Sequence, residues 1–148
     1  MIRRPPRSTH CISSAASDVY KRQMLLHRIV AVIHFLQGLF MLFGGKFIAE
    51  QYGWDYSIGF AAMVEHHGST LICVSIYFWV LPGLLSLENL KKVSNIGLIV
   101  QGILILMPIY HAAFNYFPID PGFFVMVFVL TLIMILFFRA SRQNEVTN

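Results

Sequence analysis

Residues 93–119 read VSNIGLIVQGILILMPIYHAAFNYFPI, a run of 27 positions without one Asp, Glu, Lys or Arg. A helix rising 1.5 Å per residue needs about 20 apolar residues to cross a hydrocarbon core about 30 Å thick, so this run is long enough to span a membrane. On either side of it, charged residues punctuate three further apolar stretches, Ile29 to Gly45, Gly68 to Leu87 and Pro121 to Phe138. The expected spans are 25–45, 68–87, 95–116 and 121–139. Of the 148 residues 57% are hydrophobic and only 12% charged, against about 25% charged in soluble domains. Too few charges exist to cover the outside of four soluble helices. The expected fold is all-α, an integral membrane four-helix bundle with short loops, in contact with the lipid bilayer.

The same run shows which face looks inward. Gly97, Gln101, Leu104, Pro108, His111 and Asn115 recur at steps of 4, 3, 4, 3 and 4, the spacing of a heptad seam. The second span gives Glu65, Gly68, Ile72, Ser75, Trp79, Pro82 and Ser86 with the same period, and the first gives His27, Ala31, His34, Gly38, Met41 and Gly45, with Gln37 close by. In the fourth, Thr131 is the only polar interruption. Small residues let helix backbones approach, and polar groups in lipid seek one another, at about 0.6 kcal/mol per hydrogen bond. Packing alone accounts for Gln37, Ser75, Gln101 and Thr131, and it gives Gly38, Gly68 and Gly97 a role as close-approach points.

The first 23 residues, MIRRPPRSTHCISSAASDVYKRQ, resemble a translated sequencing-library adapter. MIRRPPRST matches its opening bases, His10, Cys11 and Ile12 an index, and SSAASDVYKRQ a transposon end. They contain no apolar core of about 7 to 15 residues, as a secretory signal would. The segment is therefore expected to be foreign and without fixed structure, with Met24 as the native start and 24–148 as one domain. Five of the 11 basic residues and one of the seven acids lie in it, which leaves six of each sign. The basic isoelectric point then says nothing of acidic partners, and nucleic acid is excluded as one. Cys73 becomes the lone native cysteine, so no intrachain disulfide is expected.

Arg28, Lys91, Lys92, Arg139 and Arg142 fall on one side of the four spans, and only Lys46 on the other, beside Glu50, Asp55 and Asp120. The positive-inside rule then places both termini in the cytoplasm. The connection from Lys46 to His67 carries Tyr52, Trp54, Tyr56 and Phe60, which suit the membrane surface, so an interfacial outer segment is expected there. Starting the second span near Ser57 instead would place Glu65 at depth, at about 2.5 to 3.5 kcal/mol for an acid at a helix centre. The later start is preferred on that ground, although Pro82 and Gly83 then put a kink near its inner end.

The histidines carry the remaining chemistry. His111, about 24 Å along its helix, lies near the outer face, at the level of Glu65, His66 and His67, with Tyr110 and Asn115 nearby. An acid and up to three imidazoles in one layer can bind a transition metal, relay protons or hold a polar head group; wet interface residues would look the same. Haem ligation by His34 with His111 fails on depth, about 9 Å apart along the bundle, whereas His66 or His67 with His111 stays open. No hydrolase elbow, phosphate loop, dinucleotide fingerprint or zinc signature is present. Cys73 sits within an apolar stretch that disfavours its thiolate.

From Met24 to Arg142 the layout resembles the DoxX-like small four-helix membrane proteins. A first span with Gly38, Gly44 and Gly45, an interfacial connection, and a second span opened by Glu65-His66-His67-Gly68 carry the likeness; Ser69 stands where a second glycine is often found. The resemblance implies the fold and a bacterial cytoplasmic membrane. It also implies a functional class, because some relatives are associated with redox or quinone-linked complexes. Two functions follow as expectations: an interaction or packing subunit of a membrane assembly, among other membrane proteins or as a homo-oligomer, or a redox-linked protein binding metal, haem or quinone at the outer His/Glu cluster. No catalytic residue is expected.

Overall fold

The computed structural model describes residues 9–114 and 118–142, with side chains from Ser17 onward. It contains four helices, α1 (Thr9–Tyr52), α2 (Ile58–Leu84), α3 (Leu87–Ala113) and α4 (Pro121–Arg142), and no strand among the described residues. Each is long and apolar enough to cross a membrane. At 27 residues, α2 and α3 are each about 40 Å long, more than the hydrocarbon core requires. Large apolar side chains such as Phe43, Ile58, Ile99 and Phe128 point outward along the helices. In water they would form prohibitive exposed patches; lipid solvates them. The chain is an all-α four-helix membrane protein.

Local chemistry sets the helix ends. α1 stops at Gly53, whose φ of +65° only glycine adopts at little cost. There Trp54 N donates to Ala49 O (2.9 Å) and Gly53 N to Glu50 O (3.3 Å), the paired bonds of a Schellman end. Four residues later Ser57 caps α2, accepting from Phe60 N at 3.1 Å. Ser86 caps α3 by accepting from Asn89 N at 3.4 Å. Asp120 accepts from Phe123 N at 2.8 Å, with Pro121 in the first turn of α4, where its missing N–H costs nothing.

These caps correct the sequence reading in three places. The second helix begins at Ile58 rather than Gly68, and α1 runs to Tyr52, so the expected interfacial segment from Lys46 to His67 shrinks to a tight link around Gly53. A charged residue marks where a chain leaves lipid, whereas a helix ends only at a cap; Glu65 lies beyond any stop signal. α3 likewise begins at Leu87, eight residues before its expected start. Residues 9–23, expected to be without structure, continue α1. Extending an existing helix adds one hydrogen bond per residue and avoids the cost of a new nucleus.

α1 packs along α2 and α3 along α4. Between these antiparallel pairs, α1 meets α4 over a shorter stretch and touches α3, while α2 makes no extended backbone approach to α3 or α4. The joint is the core cluster of Val30, Ile133 and Phe137, with Ile33, Phe78, Leu98, Val129 and Leu136 around it. It lies toward the end of the bundle that carries both termini, where Gln23 Nε2 donates to Ala140 O at 2.5 Å.

Candidate functional site

All four helices meet at His27. Its ring is buried, with Phe78 of α2 tilted against it at 6.3 Å and Phe137 of α4 edge-on at 6.0 Å between centroids. Nδ1 lies 2.9 Å from Gln23 O; a carbonyl only accepts, so Nδ1 carries the proton of the neutral imidazole. That leaves a lone pair on Nε2, which faces Ser94 Oγ of α3 at 3.3 Å. Ser94 Oγ also lies 2.8 Å from Leu90 O. One hydroxyl proton thus stands between two acceptors, and donation to the nearer carbonyl leaves the imidazole nitrogen its second choice.

Two turns along α1 the pattern repeats. His34 Nδ1 lies 2.9 Å from Val30 O, and Phe78 stacks obliquely at 5.8 Å, so one phenyl ring touches both imidazoles. Two turns beyond Ser94 on α3, buried Gln101 donates from Nε2 to Leu130 O of α4 at 3.1 Å. Heptad spacing on two parallel helices has set polar groups at matching steps, His27 with Ser94 and His34 with Gln101, and apolar core between them. Gln37 is half-buried beside this column, and Thr131 turns its hydroxyl back to Val127 O at 2.8 Å.

The glycines divide by what they face. A Cβ at Gly38 would lie 2.7 Å from Gly68 O, and one at Gly68 2.8 Å from Gly38 O, so the α1 and α2 backbones touch reciprocally. At Gly97 the neighbour is the Phe137 ring, 2.9 Å from an added Cβ.

The outer His/Glu residues are not gathered. Glu65, His66 and His67 are exposed on α2, while His111 is half-buried on α3 with the Tyr110 ring at 5.7 Å. They belong to different helix pairs, and Asn115 falls outside the described residues. Among the described residues no group of three or more His, Cys, Asp or Glu is placed to hold a metal ion. The expected α2 seam also shifts, with Val64 buried in place of Glu65 and Trp79 turned outward.

His27's role as the hub, Ser94 and the two phenyl rings were missed by the sequence reading. Ser94 was reachable, since it extends the α3 seam by one step of three before Gly97. Phe78 and Phe137 carried no such signal among 13 phenylalanines. Comparison with family models, curated proteins and solved structures gives no significant match.

Proposed function

We propose that this chain is an interaction subunit of a larger membrane assembly, joined to its partner through the outward face of α2. One observation carries this reading. His66, Thr70, Cys73 and Tyr77, spaced by 4, 3 and 4, form an exposed stripe along α2, flanked by Glu65 and Ser69. Ser69 and Thr70 turn their hydroxyls back to Glu65 O and His66 O, both at 2.9 Å, which quiets two of the polar groups. The Glu65 carboxyl and the imidazole of His66 stay outside the bundle. Polar side chains facing away from a bundle are costly in lipid and are stabilised by polar groups of a neighbouring span.

On this reading the chain is a DoxX-like protein with both termini in the cytoplasm, supported by the Glu65-to-Gly68 element and by the Lys/Arg bias at the ends of the spans. The test is the size of the particle extracted from its native membrane in a mild detergent. The wild-type chain should run as an assembly larger than one chain in a micelle. The double variant Glu65→Leu, His66→Leu should run as a single chain with unchanged thermal stability, because both side chains are exposed. A wild-type chain that is already single, or a variant whose assembly is intact, overturns the reading.

A further inference from the structure

A second surface, separate from the α2 stripe, carries its own chemistry. Between α1 and α2, toward the end of the bundle that carries the termini, lies an open groove of about 280 Å³ lined by Ala31, Val32, Phe35, Ser75, Ile76 and Trp79. Its one hydroxyl, Ser75 Oγ, donates to Ile72 O at 2.7 Å, so its proton is turned to the helix backbone and not to the groove. The lining suits a hydrocarbon chain.

Arg28 stands at the mouth. It shares the face of α1 that bears Val32 and Phe35, at i+4 and i+7, and its guanidinium sits over the Trp79 ring, 5.3 Å from the centroid. Trp79 is therefore both groove wall and platform for the cation. The ion pairs among the described residues are Lys21–Asp18, Lys46–Glu50 and Lys92–Glu88; none includes Arg28. It is also deeper than the other cations at its end. Gln23 is level with Ala140 and His27 with Ser94, so Arg28 stands about one turn farther into the apolar zone than Arg139, Lys91 and Lys92. A guanidinium held there by an aromatic face, with no carboxylate partner among the described residues, is open to an anion. Its fork of N–H donors matches a phosphate.

We propose that this groove binds an anionic phospholipid, one acyl chain lying against Val32, Phe35 and Ile76 and the phosphate held by Arg28. Arg28 stands on the terminal side of Val32 and Phe35, the order in which a phosphate and its acyl chain follow one another. The site needs neither a partner subunit nor the α2 stripe.

The test is native mass spectrometry of the full chain, released from bilayer discs holding equal amounts of phosphatidylglycerol and phosphatidylcholine. Wild-type protein should retain one phosphatidylglycerol, enriched about fivefold over phosphatidylcholine, the order expected for one basic side chain acting on an anionic headgroup. Arg28→Gln should abolish the enrichment, and Arg28→Lys should keep part of it. Ile76→Trp, which fills the groove, should lower retention of both lipids, while Arg142→Gln should change nothing. Equal retention by wild type, enrichment that survives Arg28→Gln in a monodisperse variant, or a lipid-free dimer seated on the groove would each overturn the proposal.

Discussion

The two helix pairs close in different ways. α1 and α2 meet backbone to backbone, Gly38 against Gly68, each Cα facing the other's carbonyl. α3 and α4 meet through side chains, with Phe137 over Gly97 and Gln101 reaching Leu130 O. A carbonyl in the middle of a helix cannot move without the helix; a phenyl ring can. The first pair therefore depends on two hydrogen atoms, whereas the second has room to adjust. Small-residue seams read alike in sequence but differ in what they tolerate.

The largest effect should come from forcing a side chain between the two backbones. Gly38→Leu or Gly68→Leu should cost about 3 kcal/mol or more, the upper end of overpacking, and leave little folded protein in a detergent unfolding titration. Near-wild-type stability of either variant would remove the backbone contact. Gly97→Ala comes next. It requires the Phe137 ring to give way, at about 1 kcal/mol, and the companion change Phe137→Leu should recover part of that in a double-mutant cycle. Gln101→Leu should be milder still, about 0.6 kcal/mol, for one hydrogen bond between helices in lipid. If it proves as harmful as Gly38→Leu, the contrast between the pairs collapses.

The smallest effect concerns the amino-terminal segment. Among the described residues up to Gln23, the Tyr20 hydroxyl lies 2.6 Å from Pro82 O and Gln23 bonds to Ala140 O. Gln23 is buried with its Oε1 unpartnered, which offsets what its amide group contributes. Deleting residues 1–23 should change unfolding stability by about 1 kcal/mol or less in a thermal scan. Such tolerance would agree with a segment foreign to the native protein; a collapse of the bundle would not.

The fold was legible because a membrane span has a fixed minimum length and few residue types can fill it. The α1 seam was legible as well, and His27, Ala31, His34, Gly38 and Gly45 are all buried. On α2 the pattern was ambiguous by one residue. Steps of three and four that pass through Gly68, Ser75 and Pro82 admit either Val64 or Glu65 as the preceding member, and only packing against α1 chooses Val64. The start of α2 was misplaced because Glu65 was read as a boundary, while the chain turns only where Gly53 and Ser57 supply an end and a cap. The meeting of His27 with Ser94, Phe78 and Phe137 depends on how the two pairs dock, and no local spacing encodes that.

The polar groups are sorted by face: His27, His34, Ser94 and Gln101 of α1 and α3 close the bundle, and the exposed stripe of α2 from His66 to Tyr77 faces a partner. Tyr77 on the α2 stripe and Phe128 on α4 are equally exposed, at 67% each, so a photo-crosslinking residue at either position samples the surroundings alike. In native membranes the probe at Tyr77 should give a discrete protein adduct that disappears in the Glu65→Leu, His66→Leu background, while the probe at Phe128 should yield lipid adducts alone. Identical adducts at both positions, or lipid alone at Tyr77, would contradict the account.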